Sequence, residues 1–189
     1  MKEIAKMLIV LTLICGVCGF LLAGVKSLTM ERIEEQILLN VKGPAVKKAL
    51  AGSTNDLIKD RTKIKINDKE EMVIFVGKKD KKPWALAFEV SAGGFGGDIG
   101  VIVGFNKEKN TLSGIGITTH KETPGLGARI TENTFTNNFK DKALNEQFKT
   151  KKDNGIIDAV SGATISSKAV CSAVTKAIRL YDKIKDKVK

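Results

Sequence analysis

Thr164 stands in the run Asp158-Ala159-Val160-Ser161-Gly162-Ala163-Thr164, followed by Ile165-Ser166-Ser167. Gly162 permits a tight backbone, and a helix beginning there offers unpaired N–H groups and a positive dipole end beside the Thr164 hydroxyl. Such a place suits a phosphate. It equally suits Thr164, Ser166 and Ser167 as plain helix caps, and the spacing leaves both readings open. A second run, His120-Lys121-Glu122-Thr123-Pro124-Gly125-Leu126-Gly127, is a turn-rich loop, and Gly93-Gly94-Phe95-Gly96-Gly97 precedes it. The latter is no nucleotide P-loop, because no Gly-Lys-Ser/Thr follows and no helix is signalled after it. His120 is the single histidine. With no nucleophile or metal set beside it, it reads as a hydrogen-bonded strand-end residue rather than a general base, and no catalytic side chain is expected. Cys15 and Cys18 form a C-x-x-C whose thiols share one helix face. Two ligands fall short of the four a metal or cluster normally takes, so they read as small interface residues beside Gly16 and Gly19.

The 189 residues allow one soluble domain plus an accessory segment. With 42% hydrophobic and 28% charged residues, the chain is neither disordered nor a disulfide-dense mini-protein. Residues 7–25 run nineteen positions without a charge. At 1.5 Å per residue that nearly matches a hydrocarbon core of about 30 Å, which predicts one uncleaved transmembrane helix and excludes a multi-span transporter. Lys2 and Lys6 face Lys26 and Arg32 across it, a near balance that leans to a cytoplasmic amino terminus and an outer-face domain. Only Cys171 then lies in the soluble part, leaving no internal disulfide framework.

The net charge of +11 invites an acidic partner, an anionic polymer or a lipid surface. The lysines are scattered, however, with Lys78, Lys79, Lys81 and Lys82 in one turn and Lys149, Lys151 and Lys152 in another. Aromatic residues make up only 5%, which is poor for stacking on nucleic acid, so no nucleic-acid partner is expected.

These features must be positioned by a small set of elements. Thr29 is placed to cap a helix through about Val41, ended by Gly43-Pro44, and a short helix over 44–50 leads into a polar connector over 51–60. Residues 72–76, 84–90, 99–105 and 111–117 read as strands joined by short turns, hence antiparallel. Gly100, Gly104, Gly114 and Gly116 leave a flat surface on the last two, to be covered by a packed helix or a ligand. Residues 156–160 are strand-like. Val170, Val174, Ala177, Tyr181, Ile184 and Val188 form the stripe of an amphipathic helix, with Lys176, Lys183 and Lys187 outside. The expected fold is α+β, mainly an antiparallel sheet flanked by helices. Its expected divisions are a membrane anchor over 1–27, a helical connector over 28–60 and the main domain over 61–189.

The run ending at Thr164 closely resembles the D-x-x-S/T-G-A-T motif at which a flavin transferase attaches FMN, from FAD, to a threonine hydroxyl through a phosphodiester bond. The Glu122-Thr123-Pro124-Gly125-Leu126-Gly127 run resembles the E-T-P-G-L-G loop of the same FMN-binding domain. The two lie about 40 residues apart in the order the family has them. With its single membrane helix, the chain resembles the G subunits of Rnf-type ferredoxin:NAD oxidoreductases, relatives of the C subunit of the sodium-pumping NADH:quinone oxidoreductase. The resemblance implies covalent FMN on Thr164, recognition through Asp158, Ser161, Gly162 and Ala163, and flavin contacts from residues 122–127. It further implies an electron relay coupled to Na⁺ or H⁺ movement, with other complex subunits, a flavin transferase and membrane lipid as partners. On that reading Pro124 stiffens the turn, Gly125 and Gly127 admit backbone N–H groups to the ring edge, and Leu126 covers a ring face. Lys121 and Glu122 are left as either solvated or tuning charges. A basic membrane-tethered binding module and an FMN domain of a different membrane redox system are the alternatives.

Overall fold

The computed structural model describes residues 2–67, 70–80 and 82–185, with backbone alone at 65–67 and 70. Lys81, Lys187 and Val188 of the sequence reading lie outside the described residues. The chain divides into two compact units, Met1–Leu38 and Leu39–Lys189.

The first unit is α1, Lys2–Ile37. It contains an apolar stretch long enough to cross a membrane, and Leu11, Leu13, Phe20 and Leu22 are exposed along it. Cys15 and Cys18 are exposed as well. The expected second helix start at Thr29 does not occur. Nothing between Val25 and Ile37 breaks a helix, so α1 runs through, and the Thr29 hydroxyl donates back to the Val25 carbonyl at 2.8 Å instead of capping. A π-helical turn, Leu38–Lys42, then precedes α2, Gly43–Ala49. Gly43-Pro44 therefore opens a helix, with proline in the first turn where its missing N–H costs nothing.

Five strands follow: β1 Arg61–Asn67, β2 Glu70–Lys79, β3 Lys82–Gly93, β4 Asp98–Asn106 and β5 Thr111–Thr119. They pair antiparallel in the order β1-β2-β3-β4-β5, a simple meander. Alternation sends Leu86, Phe88, Val101, Val103 and Phe105 to one face, where they meet Val170, Val174, Ala177 and Tyr181 of α4, Thr164–Ile184. Phe105 and Tyr181 stack with ring centroids 4.3 Å apart. The other face presents Phe75, Ala85, Ala87 and Ile102 to Ala45, Val46 and Ala49 of α2 and to Leu50, which follows it. The sheet is therefore covered on both sides, and β4 is buried at nearly every position.

Of the two coverings left open for the strand glycines, a helix is the one found at Gly104, Gly114 and Gly116, while Gly100 faces the Thr118, Thr119 and Glu89 side chains instead. A methyl at Gly104, Gly114 or Gly116 would run into the α2 backbone at Ala45, Lys48 or Ala49. Residues 28–60 differ in organisation from the expected connector, because the second unit begins at Leu39: α2 and Leu57 belong to its core. Residues 156–160 form no strand. Ile157 makes a single parallel bridge to Thr150, and the chain turns away where the Val160 amide donates to Ser167 Oγ at 3.0 Å. Between β5 and α4 lie short helical turns, among them α3, Asn133–Thr136, held by stacked and edge-on contacts among Phe135, Phe139 and Phe148.

Candidate functional site

Three segments far apart in sequence converge at the amino end of α4. A pocket of about 320 Å³ is lined by Phe95 from the β3–β4 turn, by Glu122, Thr123, Leu126 and Gly127 after β5, and by Gly162, Ala163, Thr164, Ile165 and Ser166. Each piece is held by local chemistry. Gly162 and Gly125 have φ of +79° and +72°, left-handed turns that favour glycine. The Thr123 carbonyl accepts from the Leu126 and Ala128 amides, both at 3.2 Å, which closes the Pro124-Gly125 turn. Ala163, not a hydroxyl residue, occupies the position preceding α4. Ser167 Oγ, instead of capping, donates to the Ala163 carbonyl at 2.9 Å.

Glu122 ties the segments together. Only 6% exposed, it accepts the Phe95 and Gly96 amides on Oε1 at 2.8 and 3.1 Å and the Ser166 hydroxyl on Oε2 at 2.7 Å. Burial pushes its pKa up, but the Ser166 hydroxyl, the two amides and the charge of His120 outweigh it, and the carboxyl titrates below its ordinary value. Of the two readings of Glu122, the solvated one is thus excluded, while Lys121 is exposed. The nearby glycines are there for room: a methyl on Gly94 or Gly127 would strike the Glu122 carboxylate, and one on Gly96 the Lys121 carbonyl.

Thr164 is half-buried at the first position of α4, and its hydroxyl makes no hydrogen bond among the described residues. Phe95, Leu126 and Ile165 are 71%, 46% and 54% exposed, an apolar rim around the pocket. Asp158, Ser161, Pro124 and Gly125 belong to the same turns but do not line it, and Asp158 pairs with Lys151 at 2.7 Å. In the sequence reading Phe95 and Ile165 have no role of their own and Ser166 is only a helix cap, whereas Ser166 instead donates to Glu122 in the pocket wall. An aromatic residue set between two glycine pairs was the available signal for Phe95. His120 directly follows β5, and its buried Nδ1 has no partner among the described residues.

The residues present fit a phosphate-bearing flavin. A helix start with an unengaged hydroxyl suits the phosphate, glycines keep the wall low, and the apolar rim suits a flat ring system.

Comparison with known proteins agrees. Residues 94–179 match the FMN-binding domain family. The chain is 30% identical to the G subunit of the ion-translocating oxidoreductase complex of Methanosarcina acetivorans, over 94% of each protein. It is 29% identical to the G subunit of the proton-translocating ferredoxin:NAD(+) oxidoreductase complex of Clostridium ljungdahlii, over 89% of this chain and 86% of the relative. Against the corresponding G subunit of Shewanella amazonensis the identity is 34%, but the match spans 58% of this chain and 54% of that protein. Among solved structures, the C subunit of the Na(+)-translocating NADH-quinone reductase of Parabacteroides distasonis superposes with a TM-score of 0.53 at 26% identity, covering 68% of this chain and 67% of that one. With near full-length similarity at this level and the FMN-binding fold around Thr164, the chain belongs to the family of G subunits of ion-translocating oxidoreductase complexes.

Proposed function

We propose that the protein is the covalent-FMN electron-relay subunit of a membrane ferredoxin:NAD oxidoreductase complex, with FMN joined to Thr164 and electron flow coupled to Na⁺ or H⁺ movement. The observation that carries this reading is the open Thr164 hydroxyl at the head of α4, facing the same pocket as the Glu122-clasped loops. In attachment by a flavin transferase, Thr164 Oγ would displace AMP from FAD at the FMN phosphorus, forming one P–O bond, breaking one and losing the hydroxyl proton. The unpaired N–H groups of the first turn of α4 would then hold the phosphate charge. Leu126, Phe95 and Ile165 would flank the ring system, and Glu122 would fix the loops that carry them. FMN supplies the redox chemistry when bound. The side chains orient and shield it, and no acid or base among them is required.

On this reading α1 anchors the domain to the membrane with the amino terminus inside, and the partners are the other subunits of the complex, the transferase and surrounding lipid. The name of the Clostridium ljungdahlii relative supports the ferredoxin:NAD assignment.

The test is intact mass, with flavin fluorescence on a denaturing gel, for wild type and Thr164→Val made in cells with an active transferase. One FMN added to the wild type and lost in the variant is the expected result. An unmodified wild type beside a modified control protein would overturn the attachment. Purification free of other membrane subunits, under gentle extraction from the native cells, would overturn membership of a complex.

A further inference from the structure

A second concavity lies along α4, away from the Thr164 pocket and sharing no residue with it. It is a groove of about 650 Å³ between the outer side of α4 and residues 148–153. Phe148, Cys171 and Leu180 give it an apolar floor, and Lys149, Lys168, Lys176, Arg179 and Lys183 stand along it. Its single acid, Asp153, is already taken by Lys168 at 2.8 Å and by the Thr150 hydroxyl at 2.5 Å. Among the described residues, Lys149, Lys176, Arg179 and Lys183 make no ion pair. Burial, and secondarily the charge of Asp153, push the Cys171 thiol up to about 12, so the floor stays uncharged at physiological pH. Lys176, Arg179 and Lys183 step by three and four residues, which sets them in one row on the helix. That row covers about 10 Å, and the cations of α4 from Lys168 to Lys183 extend over about 22 Å of the helix.

We propose that this groove docks an acidic amphipathic helix of a partner protein, with its apolar residues on the Phe148, Cys171 and Leu180 floor and its carboxylates against Lys149, Lys176, Arg179 and Lys183. Cations beside an apolar floor match a helix with one apolar and one acidic face. A flat anionic lipid surface would satisfy the cations but could not enter the groove to cover the floor. The binding follows from the groove and does not depend on flavin attachment.

The test uses the full chain in phosphatidylcholine nanodiscs and a fluorescein-labelled helical peptide of about sixteen residues, with Leu at i, i+3, i+4 and i+7 and Glu on the flanks. Fluorescence anisotropy should show saturable binding. Lys176→Glu with Arg179→Glu should weaken it by about tenfold or more. Lys63→Glu with Lys79→Glu, the same change of net charge on β1 and β2, should leave it within about twofold. Ser172→Trp, which fills the groove from an exposed position without changing charge, should weaken it as strongly as the α4 charge reversal. Equal loss in the two charge-reversed variants would reduce the effect to bulk charge and overturn the proposal. So would undiminished binding to Ser172→Trp, or no saturable binding at all. Displacement of the peptide by phosphatidylserine vesicles would assign the groove to lipid and overturn it as well.

Discussion

Glu122 is a buried carboxylate whose hydrogen bonds all come from other segments, and its removal should be felt in stability and in flavin loading alike. Glu122→Ala leaves the Phe95 and Gly96 amides and the Ser166 hydroxyl without their acceptor, at an expected cost of about 1–3 kcal/mol in a denaturant titration. Glu122→Gln keeps an acceptor for the amides and can donate to Ser166 Oγ, so it should lose less. The two also differ in acid. Because the folded carboxyl titrates below its unfolded value, its contribution is fully present above the unfolded value and disappears as pH falls through the lowered folded value. Wild type should therefore lose melting temperature in that acid window more steeply than Glu122→Gln; parallel curves would deny the carboxylate this role. At Gly162, φ of +79° and the Leu126 side chain both oppose a methyl. Gly162→Ala should cost about 1–2 kcal/mol and reduce flavin loading, read by melting temperature and denaturing-gel fluorescence. The turns around Thr164 and Pro124 were legible in the sequence because glycine and proline act locally. The Glu122 clasp was not, since Ser166 lies 44 residues further on and hydrophobic periodicity says nothing about which carboxylate is buried.

Among the elements, β4 and β5 show how far residue periodicity reaches. Strands β3 to β5 and helix α4 were readable because an alternating or 3.6-residue apolar pattern is a direct consequence of one-sided burial. Strand β1 was not, although Thr62, Ile64 and Ile66 alternate with Lys63 and Lys65 in Arg61–Asn67 and Ile64 packs on the core, because only two apolar residues carry that pattern. The glycines on the second face carried half a message: they announced a close approach without naming what approached. The approach is by α2, whose Ala45 backbone lies where a Gly116 side chain would stand. Gly116→Ala should therefore push α2 from the sheet and cost about 1–3 kcal/mol, seen as a lower urea midpoint with an unchanged slope. A midpoint equal to that of wild type would mean that α2 does not pack there in solution. Thr29 failed as a helix start for a related reason. A hydroxyl residue caps only where the chain enters the helix from a non-helical conformation, and Val25 to Ile37 has no breaker to cause that.

For the molecule as a whole, the division at Leu38 sets which part can fold alone, and it differs from the boundary that composition suggests. The polar residues 51–60 read as a linker, yet the Asn55 side chain bridges to β2, accepting from the Lys78 amide at 2.7 Å and donating to the Val76 carbonyl at 2.9 Å, while Leu57 is buried. Val46, Leu50 and Leu57 each contribute roughly 1.5–3 kcal/mol by burial. Together that rivals the total of about 5–15 kcal/mol that keeps a domain folded. A fragment of residues 39–189 should thus be folded without detergent, unfold in one cooperative transition and accept FMN at Thr164 as the full chain does. A fragment of residues 61–189 should expose Phe75, Ala85, Ala87 and Ile102 along a naked sheet face, and aggregate or unfold with a broad, low transition. Circular dichroism melts and size-exclusion profiles of the two decide the matter. If the shorter fragment matched the longer, α2 would be an ornament on a sheet stable without it, and the glycines of β4 and β5 would need another explanation.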